Sequence, residues 1–479
     1  MESFAVLPSN ADYTKVLPLA VESRSRRRTF FPTNGQNFTS NGNNIIRIDL
    51  SAQAFLDPKH SYLRFTMENT TNRNMGVDFG GGHAFIERLR IEQAGNVLCD
   101  TNNYNKLMSA IILPAQGGLE SSATRSITEG VRFLNQGNNG VMGEPTLAAD
   151  LTGATLISGY NSDGQINAGQ EFTFAIPLMN GLIGTTQDKL VPLQLLGSSP
   201  ITIEIQLAPA LDVGIYSAGA VAGYTIKNVR YIAQLVEVGP EVDANLRMVQ
   251  ELSGGRLVMN GVDYTHFAGN IPANALGNTS INVPARRKSL KSLFFVGASK
   301  DYAGAHQTVH NLSFGGNFGM TDYQLKIGSV VYPPTPVDCQ FAANPERSRA
   351  EAASELSKCF GVLGSVNGLG TLSTINYANT DCLVGSMRTT VGAADGAANR
   401  SARYSPFGLD LEAFQRTAIE SGVNTADQSL PITLTINIGA AINEAINIDA
   451  YVAYDALYFI DEVGNIRVSM WETYERKKR

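Results

Sequence analysis

Five histidines and four cysteines are the side chains of this 479-residue chain best suited to metal or nucleophilic chemistry. Their spacing restricts what they can do. His306 and His310 stand four apart, a separation that puts two imidazoles on one helical face for zinc. No Glu follows His306, and nearby glycines favour a loop, so ordinary exposed histidines are expected there. His83 follows Gly80-Gly81-Gly82 and precedes Glu87 by four residues, half of a cupin-like ligand set. The second histidine of such a set would fall at position 85, which is Phe85. The glycine run precedes no Lys-Ser or Lys-Thr pair opening a helix, so it is not a phosphate loop but a turn before a strand starting near Phe85. Gly184 to Lys189 likewise lacks the leading glycine of a phosphate loop. Cys99, Cys339, Cys359 and Cys382 form no C-x-x-C pair and are too few for a disulfide framework. No nucleophile-elbow sequence appears. The expectation is a non-enzyme without catalytic, cofactor or metal residues.

Two basic clusters remain. Arg24, Arg26, Arg27 and Arg28 close an N-terminal segment, and Arg476, Lys477, Lys478 and Arg479 form a basic C-terminal tail. The formal net charge is −6, so these clusters stand out against an acidic chain. They read either as solvated ends or as contacts to genome phosphate, an anionic membrane surface or acidic patches of neighbours. Phosphate contacts of that kind release counterions and weaken steeply with salt.

Composition narrows the class. Charged residues make up 17% and apolar residues 43%; a disordered chain would show the reverse balance. A charge-poor chain suits a protein that hides surface against neighbours, because interface cores are depleted in charge. No run approaches the ~18 consecutive apolar residues of a spanning helix. Met1-Glu2-Ser3 opens without the basic start and apolar block of a secretory signal, so a reduced, intracellular product is expected.

The segments that must position any site alternate with a period of two. Ile45 to Leu50, Leu63 to Glu68, Arg88 to Glu92, Ile201 to Leu207 and Ile432 to Ile438 all place apolar residues on one face and polar ones on the other, the pattern of half-buried strands. With 46 glycines and 19 prolines between them, the chain reads as all-β, of sandwich type. Strands of about seven to nine residues are expected. Three short helices are expected, over about 104–113, about 243–252, and from an Asn344 cap with Pro345 to a stop at Gly361.

Strand patterns recur in order. Leu63 in Ser61-Tyr-Leu-Arg-Phe65 matches Leu293 in Lys291-Ser-Leu-Phe-Phe295, Leu89-Arg90-Ile91 matches Leu325-Lys326-Ile327, and Pro200 to Ile205 matches Pro431 to Ile436. A long aromatic-rich strand follows each of the last pair, over 224–238 and 448–463. The inference is a tandem duplication: an arm over 1–29, a first sandwich over 30–240, a helical connector over 241–254, a second sandwich over 255–470 and a basic tail over 471–479. Loop-rich inserts sit at matching places, 116–170 and 337–430.

These residues resemble a family, the double jelly-roll major capsid proteins of icosahedral double-stranded DNA viruses, especially those of virophages and polinton-like viruses. Phe30-Phe-Pro-Thr-Asn-Gly35, Ile45 to Leu50 and Phe55 to Leu63 are similar to its opening strands. Phe174 to Gly184, Leu190 to Leu195 and Ile201 to Leu207 are similar to the close of its first jelly roll. Tyr323 to Ser329, Tyr332-Pro-Pro-Thr-Pro336 and Ser421 to Thr425 resemble parts of the second. The resemblance implies two tandem eight-stranded jelly-roll sandwiches, a homotrimer of pseudo-sixfold outline, a lattice of such trimers in the virion, and contacts with penton and minor capsid proteins. The basic ends would then meet the genome or an inner membrane. The competing reading is a two-domain β-sandwich that binds carbohydrate or a receptor, although the single Trp471 lies away from the expected crown loops.

Overall fold

A computed structural model describes residues 22–116, 125–130, 166–216, 223–299, 315–339, 349–363, 405–414, 421–439 and 445–468, apart from brief internal breaks and with isolated positions elsewhere. The first half contributes β1 (Ser23–Phe30), β2 (Asn37–Thr39), β3 (Ile45–Leu50), β4 (Phe55–Asn69), β5 (Met75–Val77), β6 (Ile86–Gln93), β7 (Asn96–Asn102), β8 (Glu171–Ile176), β9 (Val191–Pro192), β10 (Ile201–Leu207), β11 (Gly214–Tyr216) and β12 (Tyr224–Val238). The second contributes β13 (Leu257–Ile271), β14 (Gly277–Asn282), β15 (Leu290–Ser299), β16 (Met320–Ile327), β17 (Val330–Asp338), β18 (Phe407–Asp410), β19 (Ile432–Ile438), β20 (Ile446–Ile460) and β21 (Ile466–Val468).

Each half is a sandwich of two antiparallel sheets with the same strand order. In the first, β1-β12-β4-β8 faces β3-β10-β6-β7; in the second, β13-β20-β15-β18 faces β14-β19-β16-β17. The eight strands correspond one to one in chain order, which is the jelly-roll topology written twice. Alternation explains the layering. In β10, Ile201, Ile203 and Ile205 point into the core while Thr202 and Gln206 are half-buried on the other face. On that polar face, Glu204 pairs across the ladder with Arg47 of β3 at 2.7 Å and reaches Arg90 of β6 at 4.0 Å. The opposite polarity on neighbouring strands is what lets charged residues line up without repulsion.

The register refines the repeat. Ile203 stands between Ile48 and Ile91, and Leu434, the residue matching it, stands between Ile281 and Leu325. Leu325 therefore corresponds to Ile91 rather than Leu89. The slip is two residues, so the buried face is unchanged.

Three expectations are corrected. β4 and β13 run fifteen residues rather than seven to nine, about 50 Å at the usual rise, and so do β12 and β20, where long strands were expected over 224–238 and 448–463. β12 also bulges between Lys227 and Arg230, with Asn228 at φ 51°, a left-handed conformation that Asn tolerates better than most residues. The boundary at residue 30 falls inside an element, because Ser23 to Phe30 all pair with β12. Six of those residues are exposed on both faces, so no apolar alternation betrays the strand in the sequence. The helix placed from Asn344 begins instead at Ala350 and runs to Cys359, with Gly361 at φ 62° just beyond it; Pro345 lies outside the described residues.

The connector helix spans Pro240–Leu252, with proline in its first turn and Glu241 and Asp243 near its N-terminus, both favourable there. It ends where Gly254 and Gly255 take φ of 74° and 82°. The helical segment after Tyr104 continues through a π-helical stretch, Leu107–Ile112, into Leu113–Gln116, nearly all of it buried.

Truncating the matched central residues should test the duplication energetically. Ile203→Ala and Leu434→Ala remove fully buried side chains, and each is expected to cost about 2–5 kcal/mol in denaturant unfolding. A cost below ~1 kcal/mol at either site would contradict the packing described.

Candidate functional site

The strongest concentration of buried polar chemistry lies between the two jelly rolls. Gly181, in the loop after β8, meets Gly261 of β13 so closely that a Cβ on Gly261 would stand 2.1 Å from the Gly181 carbonyl oxygen. Only glycine permits that approach. Beside it the Gly181 N–H donates to Asp263 Oδ1 at 2.7 Å, and the Tyr458 hydroxyl donates to Asp263 Oδ2. Asp263 is 1% exposed. Burial pushes its carboxyl above the usual range, against the pull of the Tyr458 and Gly181 hydrogen bonds.

A second cluster sits farther along the same seam. Asp449 of β20 receives Lys106 Nζ at 2.5 Å and His266 Nε2 at 2.8 Å. The Asn103 side-chain amide reaches the same carboxylate at 3.4 Å, and the Tyr451 hydroxyl donates to the Asn103 carbonyl at 3.0 Å. Burial alone would raise the Asp449 carboxyl, but Lys106 and His266 outweigh it and hold the group well below the usual range. Lys106 and Asn103 belong to the first jelly roll, and His266, Asp449 and Tyr451 to the second. The third tie is Gln93, whose side chain accepts from Ile466 N–H at 2.6 Å and donates to the Gly464 carbonyl at 3.0 Å. Satisfied buried polar groups of this kind fix one arrangement, since a shifted interface would leave them unpaired.

The sequence candidates are dispersed. Arg24, Arg26, Arg27 and Arg28 lie in β1, an edge strand, and not in an arm. Arg26 pairs with Glu237 at 2.7 Å, Arg27 sits 6.0 Å from the Tyr62 ring centre and Arg28 4.8 Å from that of Phe30. Arg24 stands opposite Glu237 in the ladder. The cluster is thus a fixed basic stripe, in part engaged with its own sheet. Arg476, Lys477, Lys478, Arg479, Trp471, His306 and His310 lie outside the described residues.

His83 is fully buried and its Nε2 meets Glu129 Oε2 at 2.9 Å, while Arg125 holds the same carboxylate at 3.0 Å. Burial works against the Glu129 charge, but His83 and Arg125 bring the carboxyl down to about 2. The partner is Glu129 and not Glu87, whose carboxylate instead accepts from Gln206. Among the described residues, no group of three or more His, Cys, Asp or Glu side chains is placed to hold a metal ion. Among the described residues, no helix is long and apolar enough to cross a membrane.

Reading the sequence missed the seam altogether. Its local signal is a pair of aspartates, Asp263 and Asp449, placed among buried residues of long strands, where charged residues are rare unless paired.

No family model matches the sequence, and no curated protein matches it. Solved structures do. The chain superposes on a protein in the 3.5 Å cryo-EM structure of the Sputnik virophage with a TM-score of 0.56 and 11% identity, over 98% of this chain and 93% of that one. The Faustovirus major capsid protein gives 0.54 and 9%, over 95% and 92%. The mavirus major capsid protein gives 0.50 and 11%, over 98% and 96%. The shared feature is the whole double jelly-roll fold, end to end.

The glycine contact makes the seam testable. Gly261→Ala should destabilise the protein by about 2–4 kcal/mol, whereas Gly239→Ala, whose Cβ would meet nothing within 4 Å, should change stability by less than about 0.5 kcal/mol. Equal unfolding midpoints for the two variants would contradict the close approach.

Proposed function

We propose that this double jelly-roll chain is a viral major capsid protein, a structural subunit that self-associates as trimeric, pseudo-hexameric capsomers in an icosahedral shell around a DNA genome. The observation that carries the reading is the end-to-end likeness to the Faustovirus and mavirus capsid proteins, in which neither chain has a large unmatched part. The duplication supplies a physical rationale. One chain presents two upright sandwiches locked side by side, so three chains present six. Covalent linkage and the polar seam set the position of each sandwich relative to its sister without the association cost that separate subunits would bear, several kcal/mol or more. The work of such a protein is geometric, and it requires no catalysis.

Its partners under this reading are other copies of itself, penton and minor capsid proteins, and, through the basic stripe of β1 and the C-terminal residues Arg476 to Arg479, the genome or an inner membrane. It would reside in the virion. No observation favours the alternative of a carbohydrate- or receptor-binding protein.

Light scattering coupled to size exclusion should give about three times the 51.4 kDa chain mass for the purified protein. A stable monomer with affinity for a glycan would support the alternative and overturn this reading. Replacing Arg24, Arg26, Arg27 and Arg28 with Gln should leave the trimer intact and reduce the salt slope of DNA or anionic-vesicle binding by up to about 4 contacts. An unchanged slope would remove β1 from that role.

A further inference from the structure

Near one end of the second sandwich, Lys291 is enclosed between two carboxylates. Its Nζ lies 2.8 Å from Glu412 Oε1 and 3.3 Å from Asp455 Oδ1. The side chains of Lys291, Glu412 and Asp455 are only 16%, 7% and 8% exposed. The backbone is arranged to bring them together. β15 pairs with β20 through an irregularity between Leu290 and Ser292, leaving Lys291 as the extra residue opposite Ala453 and Tyr454. A bulge at that point re-aims the lysine side chain. The Asp455 N–H donates to the Ser289 carbonyl at 3.2 Å, which ties the aspartate to the same spot.

The carboxylates are also individually oriented. The Ser289 hydroxyl donates to Asp455 Oδ2 at 2.6 Å and accepts from Gly422 N–H at 3.0 Å. The Ser421 hydroxyl donates to Glu412 Oε1 at 2.7 Å. One face of the Asp455 carboxyl is thus polarised by a hydroxyl while its other oxygen points at an amine. A second acid touches that same amine.

We propose that Lys291 and Asp455 condense to an intramolecular amide, with Glu412 as the proton shuttle, so that β15 and β20 become covalently joined. In this step Lys291 Nζ gives one proton to Asp455 Oδ1 across their contact and attacks Cγ, forming the Nζ–Cγ bond. Ser289 stabilises the developing charge on Oδ2. Glu412 takes the second proton from Nζ and delivers it to the departing Oδ1, the Cγ–Oδ1 bond breaks, and water leaves. Glu412 ends as it began, and nothing is oxidised or reduced.

Desolvation drives the step. Burial pulls the Lys291 ammonium down, and Glu412 and Asp455 pull it up by more, so the resting site is an ion pair. Burying such a pair is expensive even when its geometry is good. Condensation removes the Lys291 and Asp455 charges from the interior, and the Glu412 carboxylate that remains keeps the Ser421 hydroxyl as a donor. Position supplies the rate, since groups held in contact react as if at very high effective concentration.

Intact-mass spectrometry of the full-length protein, purified folded and then denatured, tests the step. The expected result is a chain lighter than its sequence by one water, with trypsin failing to cut after Lys291 and a branched peptide joining the Lys291 and Asp455 segments. Lys291→Arg should restore the full sequence mass, and Glu412→Gln should slow amide formation by about 100-fold or more. A wild-type chain at full mass, cut normally after Lys291, would mean an ion pair only and would overturn the proposal. Loss of one water without the branched peptide would mean a succinimide at an aspartate, and would overturn it equally. Neither result bears on whether the protein builds capsomers.

Discussion

The backbone contact of Gly181 with Gly261, beside the buried Asp263 carboxylate, fixes how the two jelly rolls sit together. Two sandwiches with apolar interiors have no inherent reason to adopt one mutual position, because apolar contact is non-directional. The seam adds direction. Asp263 accepts from Tyr458 of its own half and from Gly181 of the other, and Asp449 collects His266 of its own half and Lys106 of the other; displacement by even a few ångströms takes Gly181 and Lys106 away from these buried carboxylates. The apolar core then runs across the seam, with Tyr451, Ala453, Tyr458 and Phe294 of the second half packed into the same cluster as the first-half core. The two jelly rolls thus share one apolar core as well as the polar seam.

Much of this architecture was legible in the sequence. Ile201 to Leu207 and Ile432 to Ile438 display their buried face residue by residue, and the structure places both at equivalent positions between equivalent partners. The resemblance to double jelly-roll capsid proteins anticipated the strand order that the fold displays. Other features were hidden for identifiable reasons. β1 is a strand whose first six residues face solvent on both sides, so its arginines look like a solvated segment. The bulge in β12 turns on a left-handed Asn228, which reads in isolation as a turn residue. The slip between Leu89 and Ile91 was invisible because both are apolar on the same face.

The seam was hidden for a deeper reason. Its partners are separated by 82 residues for Gly181 and Asp263 and by 343 for Lys106 and Asp449, and nothing local to either says where the other lies. An aspartate inside an apolar strand signals that a partner exists but not which one. The same is true of Lys291, whose neighbours Glu412 and Asp455 are assembled by three separate segments and a bulge. Patterning yields the elements; the chemistry between elements comes only with their register.

Electron micrographs of the purified protein decide whether the two jelly rolls of each chain keep one mutual position. Class averages from electron microscopy should show compact particles of six towers in a pseudo-hexagonal outline, three pairs each with a fixed spacing inside the pair. Two-lobed monomers with variable spacing between the lobes would contradict both the rigid seam and the tiling role built on it.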